Sequence, residues 1–192
     1  MKKVSVIILN WNGEQLLKQF LPSVVKYTPD DIADVVVADN GSTDKSLVLL
    51  KTQFPTVHII ELEKNFGFAD GYNQAIAAVK TPYVVLLNSD VEVTPNWLYP
   101  LVEEVEQHVD VVAVQPKIRS WKEKSSFEYA GACGGYMDRY GYPFCRGRLL
   151  HILETDNGQY DTPTDVLWTS GACMLVRRDV FVKVGGLDAT FF

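Results

Sequence analysis

The sequence predicts an α/β domain with a mostly parallel central sheet, helices on both faces of that sheet, and an irregular or antiparallel C-terminal part. As far as about Arg119, short apolar runs rich in Val and Ile alternate with segments whose apolar residues recur at helical spacing. That order is typical of parallel strands joined by right-handed crossover helices. Beyond it, residues 120–165 contain no long periodic segment, which predicts a binding loop or a small antiparallel excursion.

The individual elements follow from periodicity and from helix-terminating residues. Apolar runs predict strands at 4–9, 35–38, 57–62, 83–87 and 111–114, with a strand pair or a strand entering a turn at 166–176. Helical spacing predicts helices over 16–25, to about 53, over 72–79, to about 107 and over 178–184.

Pro22 is expected to kink or restart the first helix. Ser42, Thr43 and Asp44 are N-cap candidates for the second. Thr94-Pro95 should start the fourth, and Gly185-Gly186 should stop the last.

The composition indicates an ordinary globular domain. The chain has 192 residues, 47% of them hydrophobic, so we expect one domain over 1–192, divided into a first half at 1–118 and a second half at 119–192. A formal net charge of −6 argues against a nucleic-acid partner. Three cysteines without a CxxC pair are typical of reduced thiols in a cytoplasmic protein. No apolar run reaches the roughly 18–20 residues that cross a bilayer, so peripheral contact with the inner face of a membrane would require a surface patch.

Two of the predicted strands end in turns that carry aspartates, Asp39-Asn40-Gly41-Ser42 and Asn88-Ser89-Asp90. Parallel sheets bind ligands at the edge where the carboxyl ends of their strands meet. Asp90 could cap a helix, but Thr94-Pro95 already supplies the next helix start, and a second acid, Glu92, follows. A carboxylate at this edge suits Mg²⁺ or Mn²⁺, which bind one or two carboxylates plus phosphate oxygens. We therefore favour a metal ligand over a cap at Asp90.

Other polar positions keep two interpretations. Asp39 either closes an Asx turn with the amide of Gly41 or Ser42, or accepts a hydrogen bond from the imide of a uracil or thymine ring. The loop at 65–73 is either a tight strand-to-helix turn or a place where glycines let the backbone approach a phosphate. Aromatic residues of the second half either stack on sugars or pack internally, and these are Trp168, Tyr136, Tyr140 and Tyr142. Arg146 and Arg148 either contact a diphosphate or an anionic acceptor lipid, or are solvated.

Together these motifs resemble glycosyltransferase family 2. The similarity rests on residues 4–12 (VSVIILNWN), 36–44 (VVADNGSTD), 65–73 (NFGFADGYN) and 86–90 (LLNSD), and continues through 171–178 and 184–188. The Asn-Trp-Asn start and the Gly-Ala-Cys block are most similar to bacterial rhamnosyltransferase-type enzymes of surface polysaccharide synthesis. The resemblance implies a GT-A, Rossmann-like fold, a nucleoside-diphosphate-sugar donor, a divalent cation (Mg²⁺ or Mn²⁺), and inversion at the anomeric carbon.

The resemblance also implies roles for parts of the chain. Residues 1–118 correspond to the nucleotide-sugar-binding half and residues 119–192 to the acceptor-side half. Asp39 matches the base-recognising aspartate, and Asp90 matches the metal ligand. Asn88 stands where the fuller Asp-x-Asp motif has its first carboxylate, and would contact the ribose or the donor sugar instead. The implied donor-nucleotide-binding residues are Asn10, Asn12, Asp39, Asn65, Gly67, Asp70, Asn88 and Ser89. The implied partners are a UDP- or dTDP-sugar and a glycan or lipid-linked acceptor.

Inversion needs a carboxylate that deprotonates the acceptor hydroxyl. In this family that acid usually lies in an Asp/Glu pair shortly after the block at 184–188, so we expect the base beyond residue 192, in a continuation of this chain, with Asp188 as a fallback. A nucleotide-sugar-binding module without turnover is the alternative. The turn at 10–14 excludes a dinucleotide-dependent dehydrogenase, because it has no Gly-x-Gly-x-x-Gly pattern.

Overall fold

The structure is a computed structural model that describes residues 2–190. Ten strands and five helices follow one another within these residues. In chain order they are β1 (Val4–Asn10), α1 (Glu14–Tyr27), β2 (Ala33–Asp39), α2 (Ser46–Gln53), β3 (His58–Glu61), α3 (Gly67–Ala78), β4 (Tyr83–Leu87), α4 (Tyr99–Gln107), β5 (Ala113–Val114), β6 (Gly135–Met137), β7 (Pro143–Cys145), β8 (Arg148–Leu149), β9 (Ile152–Leu153), β10 (Cys173–Arg177) and α5 (Arg178–Lys183).

The central sheet has the strand order β3-β2-β1-β4-β10-β5. The pairs β3–β2, β2–β1 and β1–β4 are parallel, whereas β10 is antiparallel to both β4 and β5. The predicted mostly parallel sheet is therefore confirmed. The chain moves from β1 to β2 on one side and to β4 on the other, which makes the gap between the ends of β1 and β4 a topological switch point.

Both faces of the sheet are covered, as predicted, because its strands alternate side chains between two apolar layers. On one face Val6, Ile8 and Val37 pack with buried residues of α1, α2 and α4. On the other face Ile7 and Val36 pack with buried residues of α3 and α5. Within residues 2–190, no helix is long and apolar enough to cross a membrane.

Several predicted boundaries are wrong. Thr94-Pro95 does not start α4, which begins at Tyr99, because Asn96 has a left-handed φ of 62° that a helix cannot contain. Of the two outcomes expected at Pro22, a kink or a restart, the restart does not occur, because α1 runs from Glu14 to Tyr27 as one helix. The N-cap of α2 is Lys45 and none of the three predicted candidates, although Asp44 accepts a hydrogen bond from the backbone amide of Ser46, the first helical residue, at 2.9 Å. The start of α3 lies five residues before the predicted one, at Gly67.

The second half contains the small antiparallel excursion that was one of its two predicted alternatives. Strands β6 to β9 form a four-stranded antiparallel sheet with its own buried cluster of Phe127, Ala132, Cys133 and Cys145. This small sheet joins the rest of the chain through an antiparallel bridge between Gly135 and Trp168. The last helix ends before Gly185 and Gly186, both at positive φ, as the sequence predicts.

Candidate functional site

An open cavity of about 300 Å³ lies at the switch point. Its lining comes from the end of β1, from α1, from α3 and from the turn after β4, and consists of Leu9, Trp11, Leu16, Phe68, Tyr72, Asn88, Ser89 and Asp90. The turn at 88–90 is fixed at its start by a hydrogen bond of 2.9 Å from the backbone N–H of Asn88 to the Ala172 carbonyl. The cavity therefore contains the predicted Asn88-Ser89-Asp90 turn at the carboxyl edge of the sheet.

Asp90 is the acid of this cavity. Its side chain is exposed, and within residues 2–190 its carboxylate forms no salt bridge and accepts no side-chain or backbone hydrogen bond. It does not cap α4, which begins at Tyr99. A carboxylate without a protein partner, beside the amide of Asn88 and the hydroxyl of Ser89, fits a hard divalent cation whose other ligands are phosphate oxygens. Within the described residues no cluster of three or more His, Cys, Asp or Glu could hold a metal by itself.

Glu92, the second acid of this segment, has a different environment. Its Oε2 accepts hydrogen bonds from the Trp121 indole at 2.9 Å and from Lys124 at 3.1 Å. It lines another open cavity of about 380 Å³, formed mainly by α1 and Trp121. Although this cavity is somewhat larger, none of the predicted site residues lines it. Glu92 is thus directed away from Asp90 despite lying two positions later in the chain.

Asp39 is buried, with 2% of its surface exposed, and both carboxylate oxygens accept hydrogen bonds. Oδ1 accepts from the Asn10 amide at 2.9 Å, and Oδ2 accepts from the Ser42 backbone N–H at 3.0 Å. The Asx-turn interpretation is therefore realised. Because a carboxylate only accepts, it also fixes the Asn10 side chain with its nitrogen toward Asp39. The Asn10 Oδ1 is left buried without a hydrogen-bond partner among the described residues.

Asn12 joins the turn after β1 to the turn after β2. Its Oδ1 accepts hydrogen bonds from the backbone amides of Thr43 at 2.7 Å and Asp44 at 3.2 Å, and its backbone N–H donates to the Ser42 hydroxyl at 2.9 Å. The residue has a positive φ of 51°, which asparagine tolerates better than most residues. Asn10, Asn12 and Asp39 thus form one hydrogen-bonded group at the ends of β1 and β2.

Asn40 connects this group to the loop before α3. Its amide donates to Asn65 Oδ1 and to the Gly67 carbonyl, both at 3.0 Å, and its Oδ1 accepts from the Phe66 amide at 2.9 Å. The residue is almost fully buried. The prediction of site residues omitted Asn40, although its place beside Asp39 in the turn after β2 was a usable signal. It brings Asn65 and Gly67 to the same edge as Asp39.

The aromatic wall of the cavity also differs from the prediction. Trp11 and Phe68 are partly exposed there, and Phe68 packs edge-on against Tyr72 with ring centroids 5.0 Å apart. The Tyr72 hydroxyl donates to the Leu87 carbonyl at 3.0 Å, and burial raises its pKa. Trp11 lies in the turn after β1 and Phe68 in the first turn of α3, so both belong to the motifs, but the motifs do not show that their side chains line the cavity.

The aromatic residues suggested in the second half lie elsewhere. Trp168 packs against the backbone of Gly135, where a Cβ would overlap its indole ring. Tyr136 stacks on Phe144 within the small sheet. None of the tyrosines of that sheet lines the cavity. Arg146 and Arg148 lie over the rings of Tyr160 and Tyr129 at 4.6 and 4.4 Å from their centroids, so both contact aromatic residues of the second half.

Of the predicted nucleotide-binding residues, Asn88 and Ser89 line the cavity, whereas Asn10, Asn12, Asp39, Asn65 and Gly67 form the polar turns beside it. Asp70 and Asp188 belong neither to the lining nor to these turns. Asp70 lies in the first turn of α3, where a carboxylate stabilises the helix dipole. Asp188 is exposed, and its Oδ1 accepts from the Thr190 amide at 2.9 Å and hydroxyl at 2.7 Å, which lowers its pKa. The Asn73 side chain holds the neighbouring Leu187 backbone against α3 with two hydrogen bonds. A base expected after residue 192 lies outside the described residues.

The chain is similar to several sequence relatives. It is 28% identical over 192 residues to the O-antigen biosynthesis protein RfbC of Myxococcus xanthus, a match over 98% of this chain and 15% of that protein. It is 25% identical over 201 residues to the N-acetylglucosaminyl-diphospho-decaprenol L-rhamnosyltransferase of Mycobacterium tuberculosis, over 97% of this chain and 65% of that protein. The chain thus spans less than two thirds of the length of either relative.

The fold is also similar to that of solved structures. The mannosyltransferase PcManGT from Pyrobaculum calidifontis, in complex with GDP-Man and Mn²⁺, superposes with a TM-score of 0.67 at 17% identity, over 97% of this chain and 48% of that one. This likeness shows the GT-A fold. The sequence pattern of the family described as "Glycosyl transferase family 2" matches residues 5–185. With nearly its whole length matched, the chain belongs to glycosyl transferase family 2.

Proposed function

We propose that this chain binds a UDP- or dTDP-sugar with Mg²⁺ or Mn²⁺ at the switch-point cavity and transfers the sugar, with inversion, to a glycan or lipid-linked acceptor in surface polysaccharide synthesis. The observation that carries the proposal is the exposed carboxylate of Asp90, which has no protein partner within residues 2–190 and lies in a cavity at the carboxyl edge of the sheet. Family membership supports the class of reaction.

The residues of the cavity suit this task. A divalent cation at Asp90 would neutralise the departing diphosphate. Asn88 and Ser89 offer an amide and a hydroxyl to the ribose or the sugar. Trp11 and Phe68 provide apolar walls against which a donor can pack. Tyr72 acts as a positioning residue, because its hydroxyl holds the last carbonyl of β4 directly before the 88–90 turn.

The nucleotide would lie along the group of polar turns beside the cavity. Each oxygen of Asp39 has a second lone pair, so the carboxylate can also accept the imide N–H of uracil or thymine. Asn10, Asn12 and Asn65 hold the turns that would contact the nucleotide, and Gly67 lets the backbone approach a phosphate. Asp70 supports the start of α3 at the same edge.

Relatives support a lipid-linked acceptor and a nucleoside-diphosphate-sugar donor with a divalent cation. The mycobacterial relative is named for rhamnosyl transfer to N-acetylglucosaminyl-diphospho-decaprenol, and the Pyrobaculum calidifontis structure holds GDP-Man and Mn²⁺. For inversion we propose a carboxylate other than Asp188 as the base. A base that works near neutral pH is favoured by a pKa near that pH, whereas the hydrogen bonds from Thr190 lower the pKa of Asp188.

The donor site is tested by titration calorimetry with UDP and with dTDP, each with and without Mn²⁺. We expect Mn²⁺ to tighten nucleotide binding to the wild-type chain. In Asp90→Ala the affinity for nucleotide in the presence of Mn²⁺ should fall more than about tenfold, since the loss of even an outer-shell partner of a metal lowers metal affinity 10–100-fold. Glu92→Ala is the matched control, because Glu92 lies two residues away but faces Trp121 and Lys124. If wild type binds neither nucleotide with any metal, the donor-site proposal is wrong.

A nucleotide-sugar-binding module without turnover is the second candidate. This second candidate is favoured by the lining of the cavity, because Asp90 is the one carboxylate among the described residues that line it and no second carboxylate is present there to act as a base. The two candidates separate in an assay, run on this chain and on a chain extended past residue 192, that measures both nucleotide binding and release of nucleoside diphosphate from the sugar donor in the presence of acceptor. Binding with release supports the transferase, and binding without release supports the module.

A further inference from the structure

The small sheet presents two hairpin tips at the same end. Strands β6 and β7 are joined at residues 138–142, and strands β8 and β9 are joined at 150–151. Because β7 also pairs with β8 in an antiparallel meander, successive turns alternate between the two ends of the sheet, and these two tips share one end. Two strand spacings separate them, or roughly 10 Å. A flat surface can therefore touch both tips at once.

Large apolar and aromatic side chains are exposed at these tips. We call residues 139–142 and 149–152 the tip surface. Five of its side chains are each more than half exposed, namely Tyr140, Tyr142, Leu149, Leu150 and Ile152. Neither of the two cavities described above is lined by residues of the tip surface. It is a protruding surface, which suits a flat partner better than a ligand that needs enclosure.

Leu150 is unusual for its position. It is the first residue of a two-residue hairpin turn, with a φ of 54° and 75% of its surface exposed. Glycine or asparagine is favoured at such a position, and a leucine there is strained. The turn geometry therefore does not explain the leucine. Strained backbone at an exposed apolar residue points to a role outside the fold.

The charge of this region differs from that of the whole chain. From 139 to 153 the sequence has three arginines and no Asp or Glu, whereas the chain has a net charge of −6. The adjacent Asp138 accepts the backbone amides of Tyr140 and Tyr142 at 2.8 and 3.0 Å and so shapes the first tip. Arg139 lies in the tip surface and Arg148 donates to the Leu150 carbonyl at 2.9 Å, whereas Arg146 lies in the turn at the other end of the small sheet. The tip surface thus carries positive charge although the chain as a whole is acidic.

We propose that the tip surface binds the surface of an anionic lipid bilayer, with Leu150 and its apolar neighbours entering the interface. Leucine and isoleucine beside tyrosine and arginine are the composition of membrane-interface segments, in which tyrosines lie at the headgroup level and arginines meet anionic lipid. A bilayer also supplies the flat, negatively charged partner that both tips can reach together. This contact is independent of the nucleotide site.

The test is sedimentation of the whole chain, without nucleotide, with vesicles of phosphatidylcholine alone or mixed with phosphatidylglycerol. We expect wild type to bind the mixed vesicles more tightly than the neutral ones. Leu150→Asn should weaken binding to the mixed vesicles at least about tenfold, which corresponds to the free energy gained when one leucine side chain is buried. Arg139→Gln should weaken binding to mixed vesicles roughly fivefold and leave binding to neutral vesicles unchanged.

Two controls keep the result interpretable. Leu150→Asn should raise or preserve the thermal midpoint, because asparagine tolerates the left-handed φ. Val109→Asn changes an exposed valine outside the tip surface and should bind like wild type. The proposal is overturned if wild type does not bind vesicles or if Leu150→Asn binds as wild type does. It is also overturned if wild type is a dimer by light scattering that this substitution dissociates, since the tip surface would then meet a second copy.

Discussion

At the residue scale, the polar side chains at the carboxyl edge of the sheet form hydrogen bonds with one another. Asp39 accepts from Asn10 and Ser42, and Asn40 joins Asn65 and Gly67. These partners are up to 29 residues apart in sequence, and nothing in a strand-and-turn pattern predicts such pairs. The same side chains thus have a structural role that is visible and a binding role that we propose.

Asp39 should contribute strongly to stability. Asp39→Ala leaves the Ser42 amide without its acceptor and removes one of two hydrogen bonds of the buried Asn10 amide, so we expect a loss of about 2–3 kcal/mol in the free energy of unfolding. Asp39→Asn should lose less, because the Asn10 amide can rotate and accept from the new side chain. Urea unfolding measures both. Equal losses for the two variants would show that the hydrogen bonds do not set this stability.

At the element scale, the sequence predicted the alternation of β1 to β4 with α1 to α3 because buried parallel strands are continuous apolar runs. It did not predict that β10 lies between β4 and β5. The residues of an antiparallel strand that follows a long irregular segment do not indicate with which earlier strand it pairs. The two turns that carry Asp39 and Asp90 were predicted from their place after strands. The sequence did not predict that Trp11 and Phe68 form the walls of the cavity, because a turn pattern does not show which way a side chain points.

The link between α3 and β4 can be tested through Tyr72. Tyr72→Phe removes the hydrogen bond to the Leu87 carbonyl and leaves that buried carbonyl without this donor, so unfolding free energy should fall by about 1 kcal/mol. Nucleotide affinity should fall as well, because the 88–90 turn follows directly. Tyr99→Phe is the matched control, since the Tyr99 hydroxyl makes a long, exposed 3.4 Å contact to Asp31. Unchanged nucleotide affinity in Tyr72→Phe would contradict the positioning role.

At the scale of the whole molecule, the apolar interior is divided. Two large clusters cover the faces of the central sheet, and a small one lies under the four-stranded sheet. Cys173 belongs to a large cluster, whereas Cys133 and Cys145 belong to the small one. A small cluster offers less apolar burial against local opening. The three thiols therefore report on two regions of different expected stability.

Thiol alkylation should follow that division. Burial raises the pKa of Cys133 to about 11 and that of Cys173 to about 12, so neither is an alkylatable thiolate in the folded chain at neutral pH. With increasing urea, we expect Cys133 and Cys145 to react with iodoacetamide before Cys173 does. Mass spectrometry after short pulses of alkylation measures the order. Simultaneous reaction of all three would mean that both sheets unfold as one unit.

The position of β10 has a consequence for the synthesis of this protein on the ribosome. Its partners β4 and β5 end at residues 87 and 114, yet β10 spans 173–177. Until that late segment emerges, the edge of β4 keeps its backbone groups unpaired and its apolar faces incompletely covered. The central sheet is thus completed only after residue 177 has been translated, and until then the nascent chain exposes an unpaired sheet edge that can aggregate.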